Sequence, residues 1–198
     1  MGRRKEVPDD EILRVAREVI LSRGASVSAV EIAKELGVSH TTLFNRFGSK
    51  DALLIAALGL PDEIAWVPDL ERGPDDRPIP EQLIAHGKVM AAYFQRLRQG
   101  LPVLQAAGIG PDRIYPARGE GSSPARGFQA MVDWLKRAQA QGRIAPCDVD
   151  ALATTIMGSL YNWAFTADIC GHSTERADAD IYVERFVSLL WDGVRTKE

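Results

Sequence analysis

The chain has 198 residues, 45% of them hydrophobic and 26% charged, which is enough for a buried core and an ordinary charged surface. A net charge of −3 excludes a general coater of nucleic acid. Two cysteines, Cys147 and Cys170, exclude a disulfide scaffold and match no zinc-ligand spacing, so they read as single reduced thiols. In chain order, Arg3, Arg4 and Lys5 lead into a helix expected over 9–23, with Ile12, Leu13, Ala16, Val19 and Ile20 on one face. A charged start running into an amphipathic helix does not read as a signal peptide.

Residues 28–53 carry the densest pattern. Val30, Ile32, Ala33 and Leu36 space an apolar stripe for a second helix. Ser28 caps it, and Glu31 completes a capping box. Gly37 suits a left-handed helix exit, and Ser39 caps a third helix. Leu43, Phe44 and Phe47 are expected to face back to the second helix, leaving His40, Thr41, Thr42 and Asn45 outward. A fourth helix is expected from its cap Ser49 to residue 58. Two short helices at a steep angle, the second polar and exposed, form a helix-turn-helix of the kind that reads a DNA major groove.

Residues 9–58 resemble the DNA-binding domain of the TetR (tetracycline-repressor) family of bacterial transcription regulators. The resemblance rests on Val38, Ser39, Thr42, Leu43, Phe44, Phe47, Gly48, Ser49, Lys50 and Leu53 in register, with Ile32 and Ala33 before them. It implies an all-α fold, in which a three-helix DNA-binding domain over 1–58 is followed by a larger helical effector-binding and dimerisation domain over 59–198. The DNA-binding residues expected are Ser39, His40, Thr41, Thr42, Phe44, Asn45, Arg46 and Lys50. Of these, Thr42 and Lys50 suit phosphates, and His40, Thr41 and Asn45 suit base edges. Phe44 is a departure: the family usually has Tyr there, whose hydroxyl commonly reaches a phosphate. Residues 1–58 hold nine Lys/Arg against eight Asp/Glu, and the rest hold fifteen against nineteen. The acid therefore lies mostly outside the DNA-binding part, where Lys34, Arg46 and Lys50 flank the reading helix.

A connector rich in proline and acid spans 61–80, with Pro61, Pro68, Pro74, Pro78 and Pro80 leaving room for little more than a helical turn. Helices are expected over 81–99, 101–107, 124–141, 148–170 and 178–195, with a loop over 108–123. The uncharged run 151–167 contains Thr154, Thr155, Ser159 and Asn162 and falls short of the ~20 apolar residues of a membrane span. It reads as a helix buried on several faces, and the protein as cytoplasmic.

One reading helix contacts few base pairs, so a homodimer on an inverted-repeat operator is expected. The last two helices are its expected interface, through Val183, Phe186, Val187, Leu190 and Trp191. The middle helices supply an apolar ligand pocket from Trp66, Met90, Tyr93, Phe94, Phe128, Met131, Trp134, Met157, Tyr161, Asn162 and Phe165, each of which also reads as plain core. Asn162, His86, Tyr161 and Gln105 are its candidate polar anchors. His40, His86 and His172 sit in no nucleophile or metal pattern, and the glycine-rich stretch 108–127 lacks the ending of a phosphate loop. No catalytic residue, metal or cofactor is expected. The expected function is a sequence-specific repressor released by a small, mostly apolar ligand. The alternative is a DNA-bound adaptor whose second domain grips a protein, and an enclosed cavity as against a flat apolar patch separates the two.

Overall fold

The computed structural model describes residues 7–59, 64, 66–114, 123–171 and 175–194, so Arg3, Arg4, Lys5, Pro61 and His172 lie outside the described residues. The elements are α1 (Asp9–Arg23), α2 (Ala29–Leu36), α3 (His40–Phe47), α4 (Lys50–Leu58), α5 (Val67–Arg72), α6 (Ile79–Ala106), α7 (Pro111–Ile114), α8 (Ser123–Ala140), α9 (Val149–Phe165), α10 (Ala167–Cys170) and α11 (Arg176–Val194). Among the described residues there is no strand, and no helix is long and apolar enough to cross a membrane. The fold is an N-terminal helix-turn-helix followed by a larger helical part.

The chain divides into two compact units, and the first is Met1–Pro61 together with Gln99–Pro116. The sequence reading ended this part at 58; the unit also takes in a distant segment because Leu104, Ile109 and Ile114 are buried in its core. They join Ile12, Ala16 and Ile20 of α1, Ile32 and Ala33 of α2, Leu43 of α3, and Leu53, Leu54 and Leu58 of α4. Polar ties reinforce the union. Arg17 donates to the Ala57 carbonyl at 3.4 Å and to Gln99 Oε1 at 3.2 Å, and Arg113 pairs with Asp51 at 2.7 Å. Residues 81–99 and 101–107 form one helix, α6, rather than two. Pro102 sits inside it, and buried Leu104 anchors its last turns in this core. Val30 leaves the expected stripe: it is 59% exposed, and the buried face of α2 is Ala29, Ile32 and Ala33. Steps of three and four from Ala29 define that face, and Val30 falls about 100° away from it.

The second unit is Asp62–Arg98 with Ala117–Glu198. Its core is a continuous set that includes Trp66, Leu70, Met90, Met131, Trp134, Leu152, Leu160 and Val183. The connector before α6 holds one short helix, α5, which opens with Pro68 in its first turn. Its carbonyls are met by long side chains. Arg137 donates to Leu70 O at 2.6 Å and Glu71 O at 3.0 Å, and Gln82, 1% exposed, binds the backbone of Asp75 and Arg77. The expected helix 148–170 is broken at Thr166 (φ −97°, ψ 0°), whose hydroxyl and amide both donate to Asn162 O, and α10 is a separate turn. The expected loop 108–123 contains the single turn α7.

Candidate nucleic-acid interface

The turn between α2 and α3 is built from local chemistry. Ser28 accepts from Glu31 N at 3.2 Å while the Glu31 carboxylate accepts from Ser28 N at 2.8 Å. These hydrogen bonds favour the ionised form and hold the Glu31 carboxyl below its ordinary range. Gly37 takes φ +67°, a left-handed conformation that lets the chain leave α2 sharply. Ser39 accepts from Thr42 N at 3.1 Å, and its hydroxyl lies 2.8 Å from that of Thr42. Ser39 and Thr42 thus brace the start of α3, and Leu43, 2% exposed, seats the helix in the core.

His40, Thr41, Phe44 and Asn45 are exposed on α3. Phe44 differs from expectation. Leu43 is buried and Phe47 packs partly against the core, but Phe44 is 39% exposed. Leu43 and Phe47, one turn apart, define the inward line, and Phe44 lies to its side. Its ring centroid is 4.4 Å from that of His40, at 51°. The two flanking cations have partners within the unit. Arg46 donates to the Val7 carbonyl and to Asp9 Oδ1 at 3.0 Å, tying α3 to the start of α1. Lys50 Nζ donates to the Ala25 carbonyl at 2.9 Å, which leaves an ammonium two further donors.

In the second unit, part of the expected aromatic set forms a contiguous ladder. Ring centroids lie 6.2 Å apart for Trp66–Tyr93, 5.4 Å for Tyr93–Phe94, 5.7 Å for Phe94–Tyr161 and 4.2 Å for stacked Tyr161–Phe165. Trp66, Met90, Phe94, Met131 and Trp134 are buried; Tyr93, Phe128, Met157 and Phe165 are partly so. Tyr161 and Asn162 face outward instead of lining an enclosed space. Trp134 stands apart from the ladder and meets His86 at 5.6 Å. Burial holds the His86 imidazole below its ordinary value. Gln105 is exposed and belongs to the first unit, so it does not join the other proposed anchors. Sequence reasoning missed a shallow apolar crease, too narrow to admit a water molecule, lined by Leu83, Gly87, Ile156, Leu160, Phe186 and Leu190, among others. Gly87 was the one available signal, because a side chain there would meet Val183 at 2.7 Å.

Of the residues expected at a dimer interface, Val183 and Val187 are buried inside the protomer. They fall on the α11 face that packs into its own core. Phe186, Leu190 and Trp191 are partly exposed, and Leu189, which was not in the set, is 77% exposed. Cys147 and Cys170 are exposed and free, and burial followed by the Asp148 charge pushes the Cys147 thiol up, away from thiolate reactivity.

Residues 12–57, the capped turn and its flanking helices, match the family model of the bacterial regulatory proteins of the tetR family. The chain carries a tetR-family DNA-binding domain. The whole chain also shares the fold of solved tetR-family regulators. A TetR transcriptional regulator from Streptomyces coelicolor is 26% identical, with 96% of this chain and 100% of that one covered and a TM-score of 0.62. A TetR-family transcriptional regulator from Mesorhizobium loti is 17% identical, with coverage of 95% and 96% and a TM-score of 0.65. A structure described as the molecular basis for control of antibiotic production by bacterial hormones is 20% identical, with coverage of 93% and 96% and a TM-score of 0.66. No curated protein sequence matches the chain.

Proposed function

We propose that this protein is a cytoplasmic transcriptional repressor that binds an inverted-repeat operator as a homodimer and leaves it when a small, mostly apolar ligand occupies the second unit. It acts by binding and carries out no chemistry. The observation that carries the reading is the outer face of α3, where His40, Thr41 and Asn45 stand exposed on a helix capped by Ser39 and seated by Leu43. Asn presents a donor and an acceptor suited to an adenine edge in the major groove.

The test is selection of an operator from random duplex DNA, followed by mobility-shift titration. Asn45→Ala is expected to change preference between sequences. Lys50→Ala is expected to weaken all sequences about equally and to lower the salt slope by ~1. Selection that enriches no sequence, or two mutants that both bind as wild type, overturns the reading.

The homodimer is supported by the outer face of α9. Ala151, Thr154, Thr155, Gly158, Tyr161 and Asn162 are exposed there and uncharged, with Asp150 adding a charge in the first turn. Thr154 and Thr155 donate their hydroxyls back to Asp150 O and Ala151 O, both at 2.8 Å, so their polar groups are already satisfied within the helix. Ligand control is supported by the aromatic ladder, and by the likeness to the structure tied to bacterial hormones. The adaptor reading draws on Ile169 and Leu189, 85% and 77% exposed, which suit a protein partner as well as a second copy.

A further inference from the structure

We infer that Phe44 reads thymine methyl groups in the major groove, with His40 holding its ring for that contact. The inference rests on the DNA-binding reading above and goes beyond it by assigning one base feature to one side chain. Besides Arg46, the exposed residues of α3 fall into two pairs one turn apart, His40 with Phe44 and Thr41 with Asn45. His40, Thr41 and Asn45 can exchange hydrogen bonds with base edges or phosphates; Phe44 cannot. Phe44 is 39% exposed and is not among the rings packed on the core of its unit. The His40 ring 4.4 Å away restricts where it can turn. Of the polar groups near it, Thr42 is engaged with Ser39 and Arg46 with Val7 and Asp9, while Lys50 holds Ala25 and keeps donors for a phosphate.

The nature of the groove then selects the partner. A phosphate offers a phenyl ring no hydrogen bond, and its negative charge is repelled by the ring face. On the base edges of the major groove the apolar group is the C5-methyl of thymine, which distinguishes T·A from the other pairs. Covering that methyl with Phe44 removes apolar surface of both partners from water. Burial of one methyl-sized group corresponds to a change of about fourfold in affinity.

Deoxyuridine supplies the test because it differs from thymidine only by that methyl. Each thymine of the selected operator is replaced in turn, and affinity is measured by mobility shift. Wild type is expected to lose about fourfold at one position of a half-site, and roughly fifteenfold when both half-sites are changed together. Phe44→Ala is expected to bind the two operators equally, Phe44→Leu to keep part of the preference, and His40→Ala to narrow it. Thermal melts of the variants exclude misfolding, since both residues are exposed. The inference is overturned by a selected half-site without thymine, by no replacement mattering, or by Phe44→Ala keeping the full preference. It is also overturned if Phe44→Ala weakens the thymine and uracil operators alike, because packing on the sugar-phosphate backbone then explains the ring. Failure to select any operator is a separate outcome, which removes the DNA-binding reading and this inference with it.

Discussion

Gln82 uses every hydrogen-bonding atom of its buried amide. Oε1 accepts from Asp75 N at 2.9 Å, and Nε2 donates to Asp75 O at 3.0 Å and to Arg77 O. Gln82→Leu keeps much of the volume but strands the Asp75 amide, while the Asp75 and Arg77 carbonyls still accept from Arg143, so a loss of about 1 kcal/mol is expected in urea unfolding. An unchanged midpoint and slope would show that the clamp contributes nothing. His86 gives a second expectation, with a sign fixed by burial. Desolvation lowers its folded pKa, opposed by Asp69 and Asp75 and assisted by Arg77 and Arg72. The unfolded imidazole, with a pKa of about 6.5, therefore binds a proton over a range where the folded one does not. Stability is then greatest above that value and falls as pH drops below it. His86→Phe keeps a ring against Trp134 and should flatten the change in unfolding free energy between pH 7.5 and 5.5. An equal slope in the two proteins would remove His86 as its source.

At the scale of elements, α1 to α4 were legible because their signals are local. Ser28, Glu31, Gly37, Ser39 and Ser49 act within one turn of their own positions, and each does in the structure what its chemistry implies. Ser28→Ala removes the acceptor for Glu31 N and half of the capping box, so a loss of about 1 kcal/mol is expected on thermal or urea unfolding. What escaped the sequence was set by distant partners. Separate helices were expected over 81–99 and 101–107, yet α6 runs on through Gly100 and Pro102, because its end is buried with residues more than forty positions away. The outer face of α3 was legible from spacing, whereas the partners of Arg46 and Lys50 lie in the segments around α1 and were not. Gly100 tests the same point. A Cβ there would stand 2.3 Å from Leu58 O, a backbone atom with little freedom to move. Gly100→Ala should destabilise the first unit by about 1–3 kcal/mol despite the better helix propensity of Ala. A mutant as stable as wild type would mean that α4 and the end of α6 can part without cost.

At the scale of the whole molecule the proposed homodimer comes first, since two reading helices need it. Phe186 and Leu190 are half-buried, so charging them confuses dissociation with unfolding. Gly158 and Thr155 are exposed in the protomer, and a long cation at either can be borne by the folded single chain. Thr155→Arg or Gly158→Arg should therefore yield folded monomers by light scattering, with an unchanged thermal melt at low concentration and lost operator affinity. A monomer mass for the wild type at micromolar concentration would end the dimer proposal. Ligand control makes the more exacting demand. A ligand releases DNA only through its different affinities for the bound and released states, so a hundredfold loss of operator affinity requires ~2.7 kcal/mol of coupling. The same linkage obliges saturating operator DNA to weaken ligand binding a hundredfold. Trp66, Trp134 and Trp163 are buried in the core of the second unit, so a ligand entering it should alter their fluorescence. Trp134 and Trp66 also hold indole N–H groups that are buried without a partner, and an acceptor on the ligand would find them unpaired. Trp134→Phe keeps an aromatic ring while removing the donor. It is expected to weaken the ligand's effect and to leave operator affinity in its absence unchanged. Ligand binding that is equally tight with and without operator would show that the ligand does not control release, whatever its affinity.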